Sequence, residues 1–89
     1  MYVLIEYFGD TLIYEYSELQ KVLDHIKKNE VGVFENIGIL KCYYSFERGN
    51  TYIHITDNLS SSKFGYVITG VNVDDQDKIE TTTRNLFSK

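Results

Sequence analysis

The sequence predicts an α+β two-layer sandwich, a mainly antiparallel sheet in the element order β-β-α-β-β-β-β-α with two helices packed on one face. Three observations carry this. Most of the chain alternates apolar and polar residues with a period of two, in runs bounded by Gly, Asn and Asp. One segment breaks the alternation, with Leu19, Val22, Leu23 and Ile26 at i, i+3, i+4 and i+7, the stripe of an amphipathic helix. A second helical segment opens near the C-terminus with Asp74, Asp75 and Asp77, acids that suit the positive end of a helix dipole. The 89 residues make one domain, 1–89.

Tyr2 to Phe8 and Thr11 to Tyr16 read as a hairpin around a Gly9-Asp10 turn. A two-residue turn pairs Phe8 with Thr11. Val3, Ile5 and Tyr7 then share an apolar face with Leu12, Tyr14 and Tyr16, assigned to the core, and Glu6 falls on the opposite, mixed face. Ser17 is a capping residue with Gln20 three positions on, so a helix is expected over about Ser17 to Asn29. Lys27 and Lys28 suit its last turn, and its outer side holds Lys21, Asp24, His25 and Lys28.

Beyond the helix the period returns to two. Val31 to Glu35 is a short strand, followed by a turn at Asn36-Ile37-Gly38. Ile39 to Phe46 and Thr51 to Thr56 form a second hairpin across Glu47-Arg48-Gly49-Asn50. Asp57 to Lys63 is a loop by composition, and Gly65 to Val73 is the last strand. The C-terminal helix carries the stripe Ile79, Thr83, Leu86 and Phe87, weakened by the three threonines at 81–83.

The second hairpin has a register that separates its faces cleanly. Pairing Phe46 with Thr51 sets Tyr44 opposite Ile53 and Cys42 opposite Ile55, one apolar face with Leu40. The other face pairs Ser45 with Tyr52, Tyr43 with His54 and Lys41 with Thr56. In the last strand the side carrying Val67, Val71 and Val73 is assigned to the core, which turns Tyr66 and Ile68 outward. The expected open face therefore carries Tyr43, Tyr52, His54, Tyr66 and Ile68, fringed by Lys41 and Ser45. Open faces of antiparallel sheets usually turn polar. This one is aromatic, as contact surfaces are.

Composition excludes several classes. A hydrophobic content of 43% is too high for a disordered chain. Nine Lys and Arg against 13 Asp and Glu, net −4, argue against nucleic-acid binding, which needs clustered cations. No apolar run reaches membrane-spanning length, and the segment from Met1 to Phe8 has no basic leader. A single Cys needs no oxidising compartment, so a cytoplasmic protein is expected. Small size and a composition rich in Tyr, Ile and Asn suit a phage or mobile-element product.

Chemistry-bearing constellations are sparse. The register sets Cys42 and His54 on opposite faces, so they make no nucleophile–base pair. His25 and His54 lie in different elements without metal-ligand spacing. The aspartates at 74–77 lack the glycine and distal glutamate of a calcium loop. Glu6, Glu15 and Glu35 are the carboxylates that can approach one another, though no spacing selects them. No glycine pattern matches a nucleotide-phosphate loop. The sequence therefore calls for no catalytic residue, metal or cofactor. It is read as a non-enzymatic protein-binding module: a small acidic inhibitor or immunity-type protein that occludes a larger protein partner of unknown identity. The alternatives are a small-ligand binder, nucleotide-like, using the same tyrosines, or a homodimeric structural subunit.

Overall fold

The computed structural model describes residues 1–29, 40–57 and 64–87. Five strands, β1 (Tyr2–Phe8), β2 (Asp10–Tyr16), β3 (Leu40–Glu47), β4 (Asn50–Asp57) and β5 (Phe64–Thr69), form one antiparallel sheet in the order β2-β1-β5-β4-β3. Helices α1 (Leu19–Asn29) and α2 (Val73–Phe87) pack on one side of it, and against each other. The α+β class and the order of the described elements match the expectation. The strand expected at Val31 to Glu35, the turn after it and most of the 57–63 loop lie outside the described residues.

The core fills the space between helices and sheet. Leu19, Val22, Leu23 and Ile26 of α1 are buried, as their spacing predicts, and meet Leu4, Ile53, Ile55, Tyr66, Ile68, Val71 and Ile79. From α2, Ile79 and Thr83 are buried and Leu86 packs against the cluster. Thr83 fits because its hydroxyl is satisfied by the Ile79 carbonyl at 2.8 Å and the Tyr44 hydroxyl at 2.7 Å, with the Glu80 carbonyl at 3.4 Å. A buried hydroxyl without partners costs about 1–3 kcal/mol.

The second hairpin has the expected register, with Phe46 opposite Thr51, Tyr44 opposite Ile53, Cys42 opposite Ile55 and Tyr43 opposite His54. Its turn is tighter than expected. Glu47 also pairs with Asn50, leaving Arg48 and Gly49 as the two turn residues, both with positive φ (53° and 79°). That is the left-handed pair of a type I′ turn, whose twist matches the flanking strands.

The first hairpin differs from the expectation by one residue. Gly9 (φ 105°) is the pivot, so Phe8 pairs with Asp10, Tyr7 with Thr11 and Ile5 with Ile13. A one-residue slip exchanges the faces of a strand. Val3, Ile5 and Tyr7 therefore lie on the open face, while Tyr2, Leu4 and Glu6 face the helices. β5 is turned over in the same way: Tyr66 and Ile68, expected outside, are fully buried. β5 is the central strand, with β1 and β4 on either side. Both of its faces are apolar, so valine content does not identify the inner one. Volume does. The side carrying Gly65 would leave a gap in the core, whereas Tyr66 and Ile68 fill it.

Both helix starts also differ from expectation. α1 begins at Leu19, and the Gln20 carboxamide bonds Asp24 at 3.0 Å instead of reaching back to Ser17. α2 is capped by Asn72, a residue that the alternation assigns to the last strand. The Asn72 side chain accepts from the Asp75 amide at 2.8 Å and the Asp75 carboxylate accepts from the Asn72 amide at 3.3 Å, a reciprocal capping box. β5 ends at Thr69 because Gly70 (φ 77°) turns the chain beside the Met1 carbonyl, where a Cβ would collide. Val71 then donates to the Gly49 carbonyl at 2.9 Å.

Candidate functional site

With both described helices on one side, the other face of the sheet is built from alternate residues of all five strands. One row runs Ile13, Ile5, Val67, Tyr52 and Ser45 from β2 across to β3. A second runs Thr11, Tyr7, Gly65, His54 and Tyr43. Beyond the first lie Glu15, Val3 and Thr69. Ile13, Tyr43 and Tyr52 are 65%, 57% and 37% exposed, and Val3, Ile5, Tyr7, His54 and Val67 are half-buried by their neighbours. The result is an apolar stripe four residues wide with an aromatic row beside it.

Local geometry shapes that row. Gly65 has no side chain to keep Tyr7 off the sheet, and the Tyr7 hydroxyl lies 3.0 Å from where a Cβ would stand. Burial in that position raises the Tyr7 phenol above its ordinary pKa. Tyr43 and His54 face each other across β3 and β4, with ring centroids 6.4 Å apart and planes tilted by 52°. Glu15 and Glu47 are exposed at the end of the face opposite the aromatic row. The apolar centre thus has acid along one margin.

Of the residues expected on this face, Tyr43, Tyr52, His54 and Ser45 are there. Tyr66 and Ile68 are not; they belong to the core on the other side, for the volume reason given above. Lys41 holds the expected position opposite Thr56, and its side chain lies outside the described residues. The sequence sets Ile13 on the outer side of its hairpin but leaves it out of the site, and it assigns Ile5, Tyr7 and Val67 to the core. Their signal was present in the apolar residues on both sides of β1 and β5, the mark of inner strands.

A second polar group lies under the sheet, between β1, β2, β5 and α1. Glu6, expected outside, is 5% exposed and faces α1. Its carboxylate accepts from His25 Nε2 at 3.0 Å, from the Tyr14 hydroxyl at 3.3 Å and from the Asn29 carboxamide. Asn29 also donates to the Tyr66 hydroxyl at 3.3 Å. The other ring nitrogen of His25, Nδ1, is 2.6 Å from the Tyr16 hydroxyl, and the imidazole packs on Tyr14 with centroids 4.3 Å apart. With Nε2 donating to the Glu6 carboxylate, a neutral His25 accepts the Tyr16 hydroxyl's hydrogen bond at Nδ1. His25 therefore leaves the solvated side expected for it and turns inward. Burial and proximity to Glu6 raise the Tyr14 phenol, and burial raises that of Tyr66.

This group has the residues of an acid–base dyad but not the openness. Both imidazole nitrogens are engaged, and no buried side-chain polar atom among the described residues lacks a partner. The arrangement ties α1 to the first hairpin. Glu6 and Glu15 lie on opposite faces of the sheet, so they form no carboxylate pair, and Glu35 lies outside the described residues. Cys42 packs against the core, and burial pushes its thiol up to about 11, so it is protonated at neutral pH. It stands on the opposite face from His54. No group of three or more His, Cys, Asp or Glu among the described residues is placed to hold a metal ion, and none of their helices is long and apolar enough to cross a membrane.

No family model, no curated protein and no solved structure matches this chain.

Proposed function

We propose that the chain is a non-enzymatic protein-binding module, an inhibitor or immunity-type protein whose open sheet face docks on a larger partner and occludes it. One observation supports this above the rest: the face away from the helices keeps Ile13, Tyr43 and Tyr52 exposed around the half-buried Ile5 and Val67. Contiguous apolar surface rimmed by polar residues is costly to leave in water and marks contact sites. Tyrosine suits such a site because it offers a large, rigid, amphipathic area and has little rotamer freedom to lose. The acidic margin of Glu15 and Glu47 favours a partner with basic groups around an apolar patch.

The test is capture of a partner from native lysate by the tagged chain, with Tyr43→Ala/Tyr52→Ala as the control. A stoichiometric protein, lost with the double variant while its melting temperature holds, is the expected result. Equal capture by both chains would remove the open face from the account. Capture of none, with a saturable thermal shift from a nucleotide or metabolite, would favour the small-ligand reading.

A further inference from the structure

We infer that the edge strand β2 is a self-pairing surface, through which two copies join antiparallel into one continuous sheet. This inference does not rest on the partner reading.

Among the described residues, β2 has a sheet neighbour on one side only, β1. Its outer backbone edge is thus a template for another strand. Natural edges are normally protected by Lys, Pro, a bulge or short length. β2 has none of these: its seven residues, Asp10–Tyr16, contain no Lys, Arg, Pro or Gly, and all seven pair with β1 without a break. The opposite edge, β3, carries a lysine, Lys41, where β2 has only the acids Asp10 and Glu15. β2 also exposes large apolar side chains on both of its faces, Leu12 (49%) on the helix side and Ile13 (65%) on the open side. Exposure on one face alone would suit face-to-face docking; exposure on both suits extension of the sheet.

The sequence of β2 fits a second copy of itself. A two-fold axis normal to the sheet keeps both sets of helices on one side and sets residues of like parity opposite each other. Ile13 is the midpoint of the strand, so an axis through it pairs all seven residues. Ile13 then meets Ile13 of the second copy, Leu12 meets Tyr14, Thr11 meets Glu15 and Asp10 meets Tyr16. Apolar residues oppose apolar residues on both faces, and Glu15 finds a hydroxyl. No acid opposes an acid, an arrangement that would destabilise the pair. Moving the axis to Leu12 or Tyr14 shortens the pairing, and at Tyr14 it also sets Ile13 against Glu15. The centred register also makes the two open faces continuous.

Sedimentation velocity over about 1 μM to 1 mM covers the weak end of specific association. A reversible monomer–dimer equilibrium is expected, weakened about tenfold or more by Ile13→Lys, which opposes two like charges at the axis, and unaffected by Tyr43→Ala. Register is read by oxidation in a Cys42→Ser background. Directly opposed residues have Cα atoms about 4.5–5.5 Å apart, within disulfide reach. Ile13→Cys should therefore cross-link to twice the chain mass, and Thr11→Cys should not. A monomer throughout, a dimer indifferent to Ile13→Lys, or cross-linking equal at both positions would overturn the inference.

Discussion

Replacing Glu6 by alanine removes the acceptor on which His25, Tyr14 and Asn29 converge. A hydrogen bond to a charged group contributes about 1.5–3 kcal/mol, and breaking a buried pair by removing one partner costs about 3–5 kcal/mol. The side chains of Glu6 and His25 are 7% and 15% exposed, so the orphaned donors reach water without large rearrangement. The three contacts are also not additive. The lower end applies, about 3 kcal/mol. At about 2.1 cal/mol/K of unfolding entropy per residue, the 89 residues give ~0.19 kcal/mol/K, so Tm falls by about 15 °C. Calorimetric melting at neutral pH reads this directly, with Glu15→Ala as the open-face control, expected to change stability by less than about 0.5 kcal/mol. A double-mutant cycle with His25→Ala should return a coupling of at least about 0.5 kcal/mol. Equal, small effects of Glu6→Ala and Glu15→Ala would mean that Glu6 faces solvent and the first hairpin has the register its alternation suggests. Zero coupling would mean that His25 is not its partner.

Three further outcomes are expected. Tyr66→Ala should cost about 3–5 kcal/mol, as large truncations in a core do, while Tyr43→Ala on the open face stays under about 1 kcal/mol; urea titration distinguishes them, and similar losses would refute the assigned faces. Asn72→Ala removes the cap of α2 and should cost about 1 kcal/mol, with Asn72→Gly milder; an effect confined to Ser17→Ala would relocate the important cap. Alkaline stability follows from groups that fold in the protonated form. Cys42 is raised from 9.0 to about 11 and Tyr44 from 10.0 to about 12, chiefly by burial. The unfolded chain therefore loses these protons first, and stability is full below pH 9, then falls as pH rises through about 11 and 12. Cys42→Ala should move the onset upward toward the tyrosine range, and stability unchanged to pH 12 would contradict the burial of both groups.

The parts of the fold legible in the sequence are those where one face is wet. α1 is half-solvated, and its stripe named its buried residues. β3 lies at an edge of the described sheet with a polar and an apolar side, and the register of its hairpin follows from that contrast. β1 and β5 are inner strands with apolar residues on both faces, so alternation carries no sign for them. The choice rests on volume and on tertiary partners: Gly65 leaves Tyr66 and Ile68 as the residues able to fill the core, and Glu6 is tolerated inside because His25, Asn29 and Tyr14 satisfy it. Those partners come from three other positions in the chain, which local patterning does not connect. The candidate face was consequently half legible. Tyr43, Tyr52 and His54 came from the well-specified hairpin, whereas Ile5, Tyr7 and Val67 required the strand order.

The central claim, that the open sheet face is the contact surface, is tested most directly by footprinting tyrosine side chains in the captured complex. Hydroxyl-radical labelling of the free chain should mark Tyr43 and Tyr52 strongly and Tyr66 weakly, in line with their exposure. Binding should protect Tyr43 and Tyr52 while leaving exposed groups on the helix side, such as Lys21 and Lys28, as reactive as before. Protection on the helices with Tyr43 and Tyr52 still fully labelled would contradict the account.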